Sequence, residues 1–319
     1  MALSKRQWFI LLSAASATFS VAAPMKVLST PPTLGESGVQ QMNILQAIIL
    51  GFVQGMTEFL PISSTAHLKV VPVALGWGDP GVAFTAIIQL GSIAAVLWYF
   101  WGDLTRLLKG TTKAIARKDY TDYDFRLFLG IILGTLPIVF FGLLIKKFIP
   151  DFDNSPIRSL AAIAVASIVM SLLLGLAEKL GKRERDFEHL TMNDGLFMGL
   201  VQALALIPGV SRSGSTLTGG LFIGLQRETA ARFSFLLGIP AITLAGLVEL
   251  KDVLQTGLGN AGMIPLIAGV ISAAIFSYIA IAGLLRFLKT HSNWVFIWYR
   301  LAFGVAILGA IGSGLLKNI

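Results

Sequence analysis

Apolar residues run through this chain in long blocks divided by short charged stretches. Blocks over residues 82–101, 127–148, 158–180, 231–250, 261–287 and 295–316 each have the length of about 20 residues that a helix needs to cross the hydrocarbon core. They predict six full spans. Two further blocks, 43–60 and 193–207, are shorter and end at Pro61 and at Pro208-Gly209. Each is followed by a hydroxyl-rich turn and a second short apolar piece, 65–76 and 214–225. Short helix, broken turn, short helix predicts a re-entrant hairpin. Irregular backbone at membrane depth survives only where protein or a watery cavity surrounds it. Trp98, Trp101, Trp294 and Trp298 fall near span ends, where amphipathic rings anchor a helix at the interface.

The two hairpins read as copies. Gly51-Phe52-Val53-Gln54 recurs as Gly199-Leu200-Val201-Gln202. The spacing between copies shortens by one residue at Pro61 and Pro208 and then holds at Gly91 and Gly238. Three spans follow each hairpin. A unit with an odd number of spans inserts upside down the second time, which is the inverted-repeat plan in which broken helices meet near the midplane. The expected division is 1–42 as a signal-like or anchor segment and linker, 43–180 as the first repeat, and 181–319 as the second. Within the first of these, Lys5-Arg6 precedes an apolar run from Trp8 to Val21 and then Ala22-Ala23-Pro24. That pattern suits a cleaved signal sequence or an uncleaved anchor equally.

Composition sets the solvent. Of 319 residues, 55% are hydrophobic and 13% charged, and the mean hydropathy is +0.77. Soluble domains carry about 25% charged residues, so this chain cannot cover a water-facing surface. The fold class is an all-α polytopic membrane protein. There is no cysteine, which removes disulfides and thiolate chemistry. The formal charge of +8 sits mostly in loops, where it signals topology rather than nucleic-acid binding. The loop after span 82–101 holds Arg106, Lys109, Lys113, Arg117, Lys118 and Arg126; Lys179, Lys182, Arg183 and Arg185 form a second basic loop, and Arg286 and Lys289 a third. The alternate loops carry only Lys146, Lys147 and Arg158, and Lys251. Basic loops stay inside, so the first hairpin is expected to enter from the outer face and the second from the cytoplasm.

The chemistry lies in the two broken turns. Gln54 and Glu58 are four residues apart and share a helix face. Ser63-Ser64-Thr65 then opens the next helix, where hydroxyls favour N-caps and free N–H groups attract anions. Capping alone accounts for one serine. His67 adds a group that capping does not need, and it is the one histidine of three placed in an apolar segment, His189 and His291 lying in loops. In the second turn Arg212, between Ser211 and Ser213, binds phosphate bidentately and does not deprotonate. Gly209 and Gly214 permit close backbone approach, and successive N–H groups there form an anion nest. An ionisable residue at this depth costs roughly 2.5–3.5 kcal/mol on insertion scales, which makes it a functional-site hypothesis by default.

The motifs Gln54-x-x-x-Glu58-Phe59-Leu60-Pro61-x-Ser63-Ser64-Thr65-x-His67 and Pro208-Gly209-x-Ser211-Arg212-Ser213-Gly214-x-Thr216 together resemble the bacitracin-resistance type of undecaprenyl-diphosphate phosphatase. The resemblance runs from about Asn43 onward, with residues 1–42 outside it. It implies a bacterial plasma-membrane enzyme that hydrolyses a polyprenyl diphosphate to the monophosphate and inorganic phosphate. Such an enzyme recycles the lipid carrier of peptidoglycan and removes the diphosphate that bacitracin sequesters. A divalent cation, Mg²⁺ or Ca²⁺, is implied as cofactor. One position departs from many members: Gln54 stands where a second glutamate is frequent, which weakens a two-carboxylate metal site and leaves Glu58 as its main protein ligand.

The charges suggest a division of labour. Arg212 and the N–H groups of the 211–216 turn hold the diphosphate. Ser64, or Ser63 after it, attacks phosphorus or positions a water that does. Glu58 is the base or the metal ligand, and His67 the acid or second-step base. Gln54, Thr65, Ser211, Ser213, Gly214 and Thr216 complete the substrate-binding set. The expected partners are the lipid substrate, membrane lipids and a second copy of the chain in a homodimer. A polyprenyl-phosphate transporter using the same inverted-repeat site is the rival reading; it needs Arg212 and a cavity but has no use for Glu58, Ser64 and His67 as reacting groups.

Overall fold

A computed structural model describes residues 42–318, apart from 79, 150–151, 153–154 and 257–261. The expected signal-like segment therefore lies outside the described residues. Eleven α-helices follow in order: α1 (Ile44–Phe59), α2 (Ser64–Ala74), α3 (Val82–Tyr99), α4 (Trp101–Arg117), α5 (Tyr123–Phe148), α6 (Leu160–Leu180), α7 (Met192–Ala203), α8 (Arg212–Phe222), α9 (Arg227–Thr256), α10 (Met263–Leu288) and α11 (Trp294–Gly312).

Helices α5, α6, α9, α10 and α11 are each long and apolar enough to cross a membrane, and α3 with α4 makes a sixth if the bent pair counts as one span. Large apolar side chains stand exposed along them, among them Leu136, Phe140 and Leu143 on α5 and Ile267, Ile271 and Ile275 on α10. In water such faces would drive association; in lipid they are ordinary. The chain is a multi-pass membrane protein.

The basic stretch after the first span, expected as a loop, is helix α4. It leaves α3 at a bend of 63°. Leu107, Thr111 and Ala114 are buried on one face, while Arg106, Lys109, Lys113 and Arg117 lie outside that stripe. Alternation at helical spacing within a polar segment makes it amphipathic rather than irregular, and it packs on α5. Helix α9 runs past the expected 231–250 at both ends, because a helix continues through polar residues once it leaves the lipid.

Two short-helix pairs, α1–α2 and α7–α8, form the hairpins. Their turns are built alike. Ser63 and Ser211 are the N-caps of α2 and α8, at φ 73° and 72°. Each side chain accepts a bond from the N–H three residues on, Ala66 at 3.4 Å and Gly214 at 3.1 Å. The lead-in helices are seated reciprocally: α1 packs along α10, and α7 along α5. Glycine makes both contacts close. A Cβ on Gly55 would come within 2.7 Å of the Ala273 carbonyl oxygen, and one on Gly195 within 2.6 Å of Gly130 backbone. Small residues that let backbones meet are the usual means of helix association in lipid, where burial itself gives no drive. Apolar clusters then fix the first hairpin from both sides. Ala47, Leu50 and Val53 pack with Phe84, Ile88, Leu266 and Ala273, and Ala66 and Val70 with Leu160, Ile163, Ala164, Phe303 and Ile307.

Candidate active site at the hairpin tips

The packing brings the two hairpin turns together. Glu58, in the last turn of α1, is the junction. Its Oε2 accepts from Ser64 Oγ at 2.6 Å and from Gln54 Nε2 at 3.2 Å, and its Oε1 faces Arg212 Nη2 at 3.4 Å. The side chains of Arg212 and Glu58 are 9% and 10% exposed, so this ion pair is shielded from bulk water. Arg212 Nε and Nη1 are buried with no partner. Donors on a buried cation are costly to leave unmet. Nη1 lies against Gly238 of α9, where an added Cβ would collide with it.

A cavity of about 180 Å³ opens beside them, lined by Glu58, Ser63, Ser64, Thr65, Ser211 and Arg212 among others. A larger one of about 480 Å³ shares Ser64, Thr65 and Gln89 with it and extends to Gln54, Lys69, Arg158, Glu249 and Asp252. Ser64 thus stands where the two meet. It is partly exposed, whereas its neighbour Ser63 is buried and caps the helix. Of the two serines, only Ser64 has its hydroxyl on a carboxylate.

Several expected site residues face elsewhere. Ser213 donates to the Leu60 carbonyl at 3.0 Å, and Thr216 to the Arg212 carbonyl at 2.8 Å while meeting Ser234. Gly214 gives its N–H to the Ser211 cap. These three shape the second turn from behind, because hydroxyls in an apolar interior take the nearest carbonyl. His67 is also turned away from the cavity. Its Nδ1 lies 2.7 Å from the Ser63 carbonyl and its Nε2 2.6 Å from Tyr299 Oη, and its ring stacks on Phe303. A carbonyl only accepts, so Nδ1 carries the proton and Tyr299 donates to Nε2. Both ring nitrogens are thereby occupied by scaffold partners, whereas the sequence led to the expectation of an acid facing the substrate.

Sequence reasoning overlooked four residues. Gln89 lines both cavities. Ser92 links Gln54 Nε2 at 3.4 Å to Ser277 at 2.8 Å. Tyr299 and Arg300, from α11, reach the two turns. Arg300 had a usable signal, a lone charge inside an apolar block, the same one that singles out Arg212. Tyr299, Ser92 and Gln89 had none, since a hydroxyl or amide in a span is unremarkable without its partner.

A family described as bacitracin resistance protein BacA matches residues 47–306. Among curated proteins, the chain is 80% identical over 319 residues, all of both chains, to a protein of Nostoc sp. named undecaprenyl-diphosphatase. It is 81% identical, again over both full lengths, to the protein of that name from Trichormus variabilis. A Synechocystis sp. protein with the same name is 67% identical over 273 residues, covering 86% of this chain and 84% of its own. Both hairpin turns, every residue of the Glu58 junction, and Tyr299 and Arg300 fall within the matched region, and the chain belongs to the bacitracin resistance protein BacA family.

Proposed function

We propose that this chain is a membrane phosphatase that hydrolyses undecaprenyl diphosphate, or a close polyprenyl diphosphate, to the lipid monophosphate and inorganic phosphate. The observation that carries this reading is the Ser64–Glu58–Arg212 junction. A hydroxyl sits on a carboxylate, and the carboxylate sits against a guanidinium with unmet donors, all at a cavity inside a lipid-soluble bundle. The names of the relatives point to the same substrate class.

The steps follow from the geometry. Arg212 takes the terminal phosphate and neutralises the charge that develops on its oxygens. Glu58 accepts the proton of Ser64 as its oxygen forms a bond to the terminal phosphorus. The anhydride P–O bond breaks and the lipid monophosphate leaves. The departing lipid phosphate carries off the proton held by Glu58. The freed carboxylate then deprotonates a water that attacks phosphorus, the Ser64 Oγ–P bond breaks, and Ser64 takes the proton back from Glu58 as phosphate is released. The leaving group needs little help, because a phosphate monoester has a second pKa of about 6. His67 accordingly serves to hold the Ser63–Ser64 turn through the Ser63 carbonyl. Among the described residues no group of three acidic or histidine side chains marks a resident metal site. The donors present are still hard oxygens, the Glu58 carboxylate and the Gln54 carbonyl, of the kind that holds Mg²⁺ together with substrate phosphates. Such an ion would neutralise phosphate charge.

Location and orientation belong to the same proposal. The larger cavity reaches Arg158 and Asp252, near the base-poor loops. The positive-inside rule puts those loops on the outer face of the plasma membrane. Monophosphate regenerated there serves as carrier for peptidoglycan precursors. The two halves form an inverted repeat, a reading supported by the matching Ser63 and Ser211 caps and the reciprocal seating of α1 and α7.

The test is phosphate release from polyprenyl diphosphate by detergent-purified protein, with and without Mg²⁺. Wild type releases phosphate. Ser64→Ala nearly abolishes turnover, and Arg212→Ala lowers kcat by about 100- to 1000-fold, the scale of losing one transition-state donor. Wild-type-like turnover by Arg212→Ala sinks the assignment, and no release by wild type under either condition favours transport.

A further inference from the structure

Arg300 lies in the middle of α11 and is fully buried. The mechanism above makes no use of it. Its hydrogen bonds go to backbone carbonyls on both hairpin turns: Nη1 to Pro61 at 3.0 Å, Nη2 to Gly209 at 2.8 Å and to Val210 at 3.0 Å. Pro61 stands just before Ser63-Ser64, and Gly209-Val210 just before Ser211-Arg212. Each turn thus directs carbonyl oxygens at the other, and carbonyls cannot bond to one another. A rigid, planar fork of donors between them satisfies both sets at once, which a flexible ammonium cannot reproduce.

Other contacts bridge the turns, but they are less constraining. Arg212 meets Glu58 at 3.4 Å, an arm that must move when substrate arrives, and Ser213 reaches the Leu60 carbonyl. The second hairpin is also shaped around Arg300. A Cβ on Gly214 would lie 2.6 Å from its Nη1.

We infer that Arg300 is a positioning residue: a buried guanidinium clamp that grips the two hairpin turns by their carbonyls and so fixes the Ser64 hydroxyl relative to the Arg212 guanidinium. Its catalytic consequence rests on the phosphatase reading; the clamp itself does not.

Arg300→Lys separates fork from charge, since the cation stays and the geometry goes. In protein that elutes and melts like wild type, kcat falls about 100-fold, the scale set by an ångström of misplacement, while KM stays within about twofold. A merely structural role predicts lost folded protein with normal turnover in what remains. Unchanged kcat in the folded variant, or activity falling only with the folded fraction, overturns the proposal. Should Arg300→Lys not fold, Gly214→Ala, which pushes on the fork from the neighbouring turn, carries the same expected split and the same overturning result. A second measurement needs no turnover. The chain has no cysteine, so spin labels at Leu75→Cys and Phe222→Cys, just past α2 and at the end of α8, report the separation of the hairpins. With Arg300→Lys the distance distribution broadens; an unaltered distribution overturns the clamp. If wild type releases no phosphate while the distribution broadens, the function fails and the clamp stands.

Discussion

Glu58 receives hydrogen bonds from an amide, a hydroxyl and a guanidinium, so its charge is satisfied before any substrate or metal arrives. Gln54 contributes to that state because an amide donates where a carboxylate would repel. Gln54→Glu puts a second negative charge at hydrogen-bond distance from the first, and two carboxylates sharing a site cannot both ionise cheaply. The expected outcome is phosphate release that becomes steeply dependent on added Mg²⁺ and collapses with chelator, measured as rate against metal concentration beside wild type. An identical metal dependence in the two proteins would show that Gln54 does not set the cation requirement. Much of this site was legible from residue type, because Glu58, Ser64 and Arg212 are anomalies in an apolar chain. His67 was read as an anomaly too. What the sequence could not show was its partner Tyr299, 232 residues away, and that contact turns the ring from the cavity to the scaffold.

Among the elements, the hairpins were readable because proline, glycine and hydroxyls interrupt apolar runs too short to span. Helix α4 was not, since its basic residues look like an ordinary cytoplasmic loop until its buried stripe of Leu107, Thr111 and Ala114 is seen against α5. The seating of α1 on α10 was equally hidden, for Gly51 and Gly55 in an apolar run carry no label of their partner. That seating is testable. Gly55→Leu drives side-chain atoms into the Ala273–Ser277 stretch of α10, where even a Cβ meets Ala273 at 2.7 Å and Ser277 at 2.8 Å. Overpacking of this kind costs about 1–3 kcal/mol or more. The expected result is a lowered melting temperature in detergent together with lost activity, because α1 carries Glu58. A variant melting like wild type would mean that the two helices are not in close contact.

For the whole molecule, the decisive question is which side of the membrane the cavities face. Thr65 is exposed and lines both of them. In this cysteine-free chain, Thr65→Cys is a single reporter. A membrane-impermeant thiol reagent added outside right-side-out vesicles is expected to label it, and to label it more slowly in the presence of phosphate. Labelling only in inverted vesicles would reverse the orientation. The charge bias of the loops sets the orientation that this labelling tests. The meeting of the two hairpins was expected from the repeat, but the part of helix α11, which presents Tyr299, Arg300 and Phe303 together, was not readable. That helix also sets a timetable for biogenesis. Both hairpins emerge from the ribosome well before Trp294–Gly312 does. Until that segment enters the bilayer, the turn carbonyls of Pro61, Gly209 and Val210 lack their donor, and His67 lacks its hydroxyl. The nascent chain therefore holds Glu58, Ser64 and Arg212 before it holds the helix whose Arg300 bonds both hairpin turns.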